Sequence, residues 1–82
     1  MTARELKIAR KILDALHELD GGQAHALTIH GDIGGMTFCS ASEFDDVLAE
    51  LDQRRWISGV KTEFRGVLWN INSLGESKRN QF

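Results

Sequence analysis

Two runs rich in β-branched and aromatic residues, Trp56-Ile57-Ser58-Gly59-Val60-Lys61-Thr62 and Gly66-Val67-Leu68-Trp69-Asn70-Ile71-Asn72, stand three residues apart. Such composition favours extended backbone, and the gap Glu63-Phe64-Arg65 leaves room only for a tight reversal, so the runs are predicted to pair as a hairpin. Alternation places Val67, Trp69 and Ile71 on one face of the ribbon and Leu68, Asn70 and Asn72 on the other. Trp56 and Trp69 are expected to serve packing and cross-strand contact rather than base stacking.

The segment feeding this ribbon has an equally definite start. Ser40-Ala41-Ser42-Glu43 is a capping box: the Ser40 hydroxyl accepts from the main-chain N–H three residues on, and the Glu43 carboxylate returns to the Ser40 N–H. Phe44, Val47, Leu48 and Leu51 follow at helical spacing, with Glu43, Asp46, Glu50 and Gln53 opposite, so a helix is predicted to about Arg54 or Arg55. At the other end of the chain, Leu6, Ala9, Leu13 and Leu16, with Ile8, Ile12 and Leu19 beside them, recur at three- and four-residue steps. They predict a helix from Ala3 to Leu19, ended by Asp20-Gly21-Gly22. Between the two helices, a brief strand near Gln23–Ala26 and a short helix over Thr28–Ile33 are expected, limited by Gly31, Gly34 and Gly35. Ser73-Leu74-Gly75 turns the chain into a polar tail, residues 76–82, which frays or adds one helical turn. The expected core is Leu6, Ile12, Leu13, Leu16, Phe44, Val47, Leu48, Leu51, Ile57, Trp69 and Ile71.

Eighty-two residues hold one domain, placed at 1–75. A core of this length supplies only about 3–5 kcal/mol of net stability, which a homodimer contact would supplement. No stretch approaches the roughly 18 apolar residues of a membrane span, and the charged N-terminus lacks the apolar segment of a signal peptide. The single cysteine, Cys39, cannot form an internal disulfide and is expected to be buried. These features fit a cytoplasmic protein with no membrane partner.

The order helix, short element, capped helix, hairpin resembles a winged helix-turn-helix, an α+β fold with a three-helix core and a two-stranded β-hairpin wing. Leu48-Ala49-Glu50-Leu51-Asp52-Gln53-Arg54-Arg55-Trp56-Ile57 resembles the third helix and exit strand of bacterial regulators of the multiple-antibiotic-resistance and phenolic-acid-decarboxylase types. In those proteins a Gly is common where Arg55 stands. Leu68-Trp69-Asn70-Ile71-Asn72-Ser73-Leu74-Gly75 is similar to their wing strand and its sequel. The resemblance implies a DNA-binding, transcription-regulator-like module. It implies that Ser40, Ser42, Asp46 and Gln53 face the major groove of double-stranded DNA, with Lys61 and Arg65 on the flanking backbone. Arg4, Lys7, Lys78 and Arg79 are further candidates for phosphate.

The charge pattern pulls the other way. Residues 1–11 carry Arg4, Lys7, Arg10 and Lys11 against Glu5, and residues 54–82 are also net basic, but residues 12–53 hold no Lys or Arg and nine acidic residues. Phosphate is bound through Lys and Arg, so an acidic recognition helix is repelled by DNA. The alternative is a winged helix recruited for protein contact through Glu43, Asp46 and Glu50 on its third helix.

Other chemistry is poorly supplied. His25, His30, Asp32 and Cys39 include metal-ligand types, but their spacing matches no finger or ribbon and structural zinc sites use two or more cysteines, so no metal or other cofactor is expected. Gly31-Asp32-Ile33-Gly34-Gly35 lacks the Lys-Ser/Thr ending of a phosphate loop and is read as a turn. Scattered histidines and surface carboxylates make no nucleophile, base and pocket, so an enzyme is not expected.

Overall fold

The computed structural model describes residues 1–64 and 66–81, apart from the side chain of Asp20. It is α+β: helices α1 (Ala3–Glu18), α2 (Ala26–Asp32), α3 (Ala41–Gln53) and α4 (Ser73–Gln81), with strands β1 (Gln23–His25), β2 (Ile57–Thr62) and β3 (Gly66–Ile71). The strands form one antiparallel sheet in the order β1-β3-β2, a layout compatible with a winged helix. Among the described residues no helix is long and apolar enough to cross a membrane.

Helix α1 begins in a capping box of its own: the Thr2 hydroxyl accepts from the Glu5 N–H, and the Glu5 carboxylate accepts from the Thr2 N–H. It buries Ile8, Ala9, Ile12, Leu13, Ala15 and Leu16, a continuous stripe at helical spacing. Leu6 is not part of it. At 38% exposure Leu6 lies on the stripe's outer border one heptad before Leu13, and near the helix start that border is open. A 3₁₀ turn, Asp20–Gly22, carries the chain into β1, with Gly21 and Gly22 both at positive φ.

Helix α2 starts two residues earlier than its apolar spacing suggests and points Ile29 and His30 inward. A 3₁₀ turn over Gly35–Thr37 then leads to α3, whose capping box at Ser40 is formed as expected. A cap of this kind stabilises a helix by about 1 kcal/mol. Helix α3 buries Phe44, Val47, Leu48 and Leu51 against α1.

The exit of α3 is a Schellman motif. The Trp56 N–H donates to the Leu51 carbonyl at 3.1 Å and the Arg55 N–H to the Asp52 carbonyl at 3.0 Å. That geometry needs a left-handed residue at Arg55, whose φ is 61°, so arginine adopts a conformation that glycine takes up more readily. Leu51 and Trp56, the apolar pair of the motif, are both buried.

Strands β2 and β3 pair from Ile57↔Ile71 to Thr62↔Gly66, and β1 adds Ala24↔Trp69 on the other side of β3. Gly59 lies opposite Trp69, where a Cβ would come within 2.9 Å of the indole Cζ3 and 2.7 Å of Val67 Cγ1. Val67 and Trp69 therefore close over the glycine. Trp69 and Ile71 are half-buried and pack on the core rather than lying wholly within it. Cys39 is buried and Trp56 packs in the core, as expected, and Ile29 and Ala24 join them although the apolar periodicity did not place them there.

The largest departure is at the C-terminus. Residues after Gly75 are not a tail: α4 runs on to Gln81 and lies along α1, through Arg79 to Asp14 and Glu76 to His17. The Asn72 side chain caps it, its Oδ1 accepting from the Gly75 N–H at 2.9 Å.

Candidate interaction surface

Phe44, Val47, Leu48 and Leu51 turn one face of α3 inward, which leaves Ser42, Asp45, Asp46, Ala49, Asp52 and Gln53 facing solvent. Ser42, Asp45, Ala49 and Asp52 follow one another at three- and four-residue steps, so Asp45 and Asp52 share a stripe, with Asp46 beside it. Among the described residues no cation comes within ion-pair distance of any of these three carboxylates. Of the residues predicted to face a major groove, Ser42, Asp46 and Gln53 lie on this outward face. Ser40 does not, because its hydroxyl is committed to the Glu43 N–H at 3.1 Å.

The two other acidic residues predicted for protein contact are already engaged. Glu43 receives Arg4: the guanidinium donates through Nε to one carboxylate oxygen and through Nη2 to the other at 3.0 Å, and Nη2 also reaches the Phe38 carbonyl at 3.4 Å. The Arg4 hydrogen bond, helped by the Ser40 N–H, holds the Glu43 carboxyl down at about 2. The pair ties the first turn of α1 to the first turn of α3 and removes Arg4 from the free cations. Glu50 faces Arg54 one turn on, at 3.7 Å.

The remaining candidate cations fall into three places. Lys7 is exposed on α1, and Lys61 is exposed on β2. Lys78 and Arg79 lie on α4, where Arg79 meets Asp14 at 3.2 Å and Lys78 sits 5.7 Å from the centre of the Trp56 ring. Arg54 approaches the same ring at 5.5 Å, so Trp56 brings the end of α3 and the middle of α4 together. Arg65 lies outside the described residues. Among the described residues the predicted basic set is thus divided between α1, β2 and α4.

Between the last turn of α3 and the start of β2 lies a groove of about 590 Å³, lined by Asp52, Gln53, Arg55, Ile57, Ser58, Gly59 and Asn72. Three consecutive strand residues on one wall mean that the groove runs along the strand's edge, since side chains alternate between faces. Asn72 braces its floor, donating to the Arg55 carbonyl at 2.7 Å and to the Ser58 hydroxyl at 3.4 Å.

His25, His30 and Cys39 are spent on packing and on hydrogen bonds within the fold. His30 stacks on Phe44 at 4.6 Å between ring centroids and donates from Nε2 to the Cys39 carbonyl at 3.0 Å. Cys39 is 2% exposed, and burial, with Glu43 nearby, pushes its thiol up from the ordinary value. His25 donates from Nδ1 to the Val67 carbonyl, fastening β1 to β3. Among the described residues no three His, Cys, Asp or Glu side chains are grouped so as to hold a metal ion.

Sequence reasoning did not find the groove or the Arg4–Glu43 link, because both join segments far apart in the chain. Compared with protein-family models, curated proteins and solved structures, the chain matches none.

Proposed function

We propose that the chain is a winged-helix module whose work is a protein contact, made through the outward face of α3. The observation that carries this is the triad Asp45, Asp46 and Asp52 on that face, with no cation paired to it among the described residues. The architectural half of the reading is supported by the element order helix-strand-helix-helix-strand-strand, which α4 then follows, and by the sheet order β1-β3-β2. In DNA-binding winged helices this helix enters the major groove, where carboxylates facing phosphate oppose binding. The contact is non-enzymatic and needs no cofactor. Its cytoplasmic setting rests on the lone, buried thiol.

The test is a titration of labelled mixed-sequence duplex at low salt. No binding at tens of micromolar protein is expected, and binding that weakens linearly with log salt overturns the reading.

A second reading, DNA held from the sides, is favoured by one observation: Lys7, Lys11 and Lys61 are exposed, and none is within ion-pair distance of an acid among the described residues. Here Lys61→Ala with Arg65→Ala weakens duplex binding and flattens its salt dependence, whereas Asp46→Asn leaves it unchanged or improves it. A homodimer with paired wings, seen in a solution-mass measurement, would favour this second reading, because half-site spacing mirrors protein symmetry.

A further inference from the structure

We infer that the Glu76 carboxylate switches with pH between two partners, His17 on α1 and Arg79 on its own helix, and so sets how firmly α4 is held against α1. Five side chains form a line of alternating sign across the two helices. Arg10 lies 3.8 Å from Asp14, Asp14 3.2 Å from Arg79, Arg79 Nε 3.8 Å from Glu76 Oε2, and both Glu76 oxygens 2.9 Å from His17 Nδ1. With His17 neutral the line balances, two arginines against two carboxylates. Protonation adds one positive charge at the Glu76 end. Histidine is the side chain whose ordinary titration falls in the neutral range, so His17 is the member that changes charge there.

The observation that marks Glu76 as shared lies on Arg79. Its Nε is buried and has no hydrogen-bond acceptor, although a carboxylate stands 3.8 Å away. Buried donors are seldom left so, because nothing replaces their lost hydration. Here the acceptor is drawn to His17 instead, the arrangement an imidazolium favours through a charge-assisted bond. Once the ring is neutral, its hold on the carboxylate is weaker than that of the guanidinium, which stays charged. A movement of Oε2 by about 1 Å then satisfies Arg79 Nε. Glu76 thereby passes from a link between helices to an i,i+3 pair within α4.

Because α4 buries only Gly75, loss of the link is felt as easier opening of the helix. The hold is complete while His17 is charged and lessens as pH rises through its titration. The other titratable groups around α1 stand apart from this exchange. Lys11, Glu18 and Asp32 line, with Asp14, a hollow toward α2. His25 and His30 bond to the carbonyls of Val67 and Cys39, and Lys78 turns to Trp56. Among the described residues no second acid comes within ion-pair distance of His17.

The experiment follows the full chain by NMR from about pH 5 to about pH 8, reading the His17 ring, the Arg79 Nε–H and amide exchange in the last turn of α4. The Arg79 Nε–H signal is expected to move downfield as pH rises, with the His17 midpoint, while protection of the last turn falls about two- to fivefold. In His17→Gln, an exposed substitution whose amide does not titrate, both responses should vanish. In Glu76→Gln the Arg79 signal should no longer follow His17. An Arg79 signal that ignores the titration of His17, or one that keeps its pH dependence in either variant, overturns the switch.

Discussion

The backbone of Gly75 lies directly against the main-chain carbonyl of Trp56, with no space between them for a Cβ; a carbon placed there would also come 2.9 Å from Ile71 Cγ1. Helix α4 thus crosses the junction of α3 and β2 at backbone distance. Intrinsic helix propensity alone favours alanine over glycine by about 1 kcal/mol. The steric conflict, which is with main chain, dominates. Gly75→Ala is expected to cost about 3 kcal/mol in urea denaturation, whereas Ser77→Ala on the exposed side of α4 should change stability by less than about 0.5 kcal/mol.

The Arg4–Glu43 link has a pH signature. Because the folded-state pKa of Glu43 is depressed from 4.5 to about 2, its contribution is complete above pH 4.5 and is lost as pH falls toward 2. An NMR titration should place the Glu43 midpoint near 2 in the native protein. In Arg4→Ala it should rise yet stay below the ordinary value, since the Ser40 N–H still donates to the carboxylate at 3.2 Å.

Arg55 occupies a left-handed conformation that costs a residue with a Cβ about 1–2 kcal/mol. Replacement by glycine removes that cost but loosens the unfolded chain. Arg55→Gly is therefore expected to raise the urea midpoint by a net 0.5–1 kcal/mol equivalent, about half of the relief. A loss of stability in this variant would show that the arginine side chain holds the α3 exit in some further way.

Cys39 should resist modification. Its thiol is buried and its pKa raised, so the reactive thiolate is both scarce and shielded. Labelling by a disulfide reagent at neutral pH is expected to be slower than for a free cysteine by at least about a hundredfold, and to become rapid in denaturant.

What could be read in the chain beforehand follows from where its interactions are local. The Ser40 capping box, the stripes of α1 and α3 and the hairpin register depend on residues a few positions apart, and all are present in the fold. Helix α4 escaped because Ser73–Gln81 buries only Gly75 and has no apolar stripe; it is held by Asn72, by ion pairs to α1 and by a close backbone crossing. Leu6 was misplaced because periodicity identifies a face but not where along the helix that face is covered. In the candidate surface, Asp46 and Gln53 were placed on the outward side of α3 by spacing, whereas Ser42 was named only through the family resemblance. The engagement of Arg4 by Glu43 was not legible, since it spans most of two helices and the chain between them.

Strand β1 is only three residues long, yet it is where the two ends of the polypeptide are stitched into one sheet, through Gln23↔Asn70, Ala24↔Trp69 and His25↔Leu68. A nick anywhere between α2 and α3 would leave the first fragment with an orphan strand and the second with a ribbon lacking its third member. Neither fragment is self-sufficient, and assembly of the intact chain must wait for a long loop to close, so the seam at β1 should be the last part of the sheet to form.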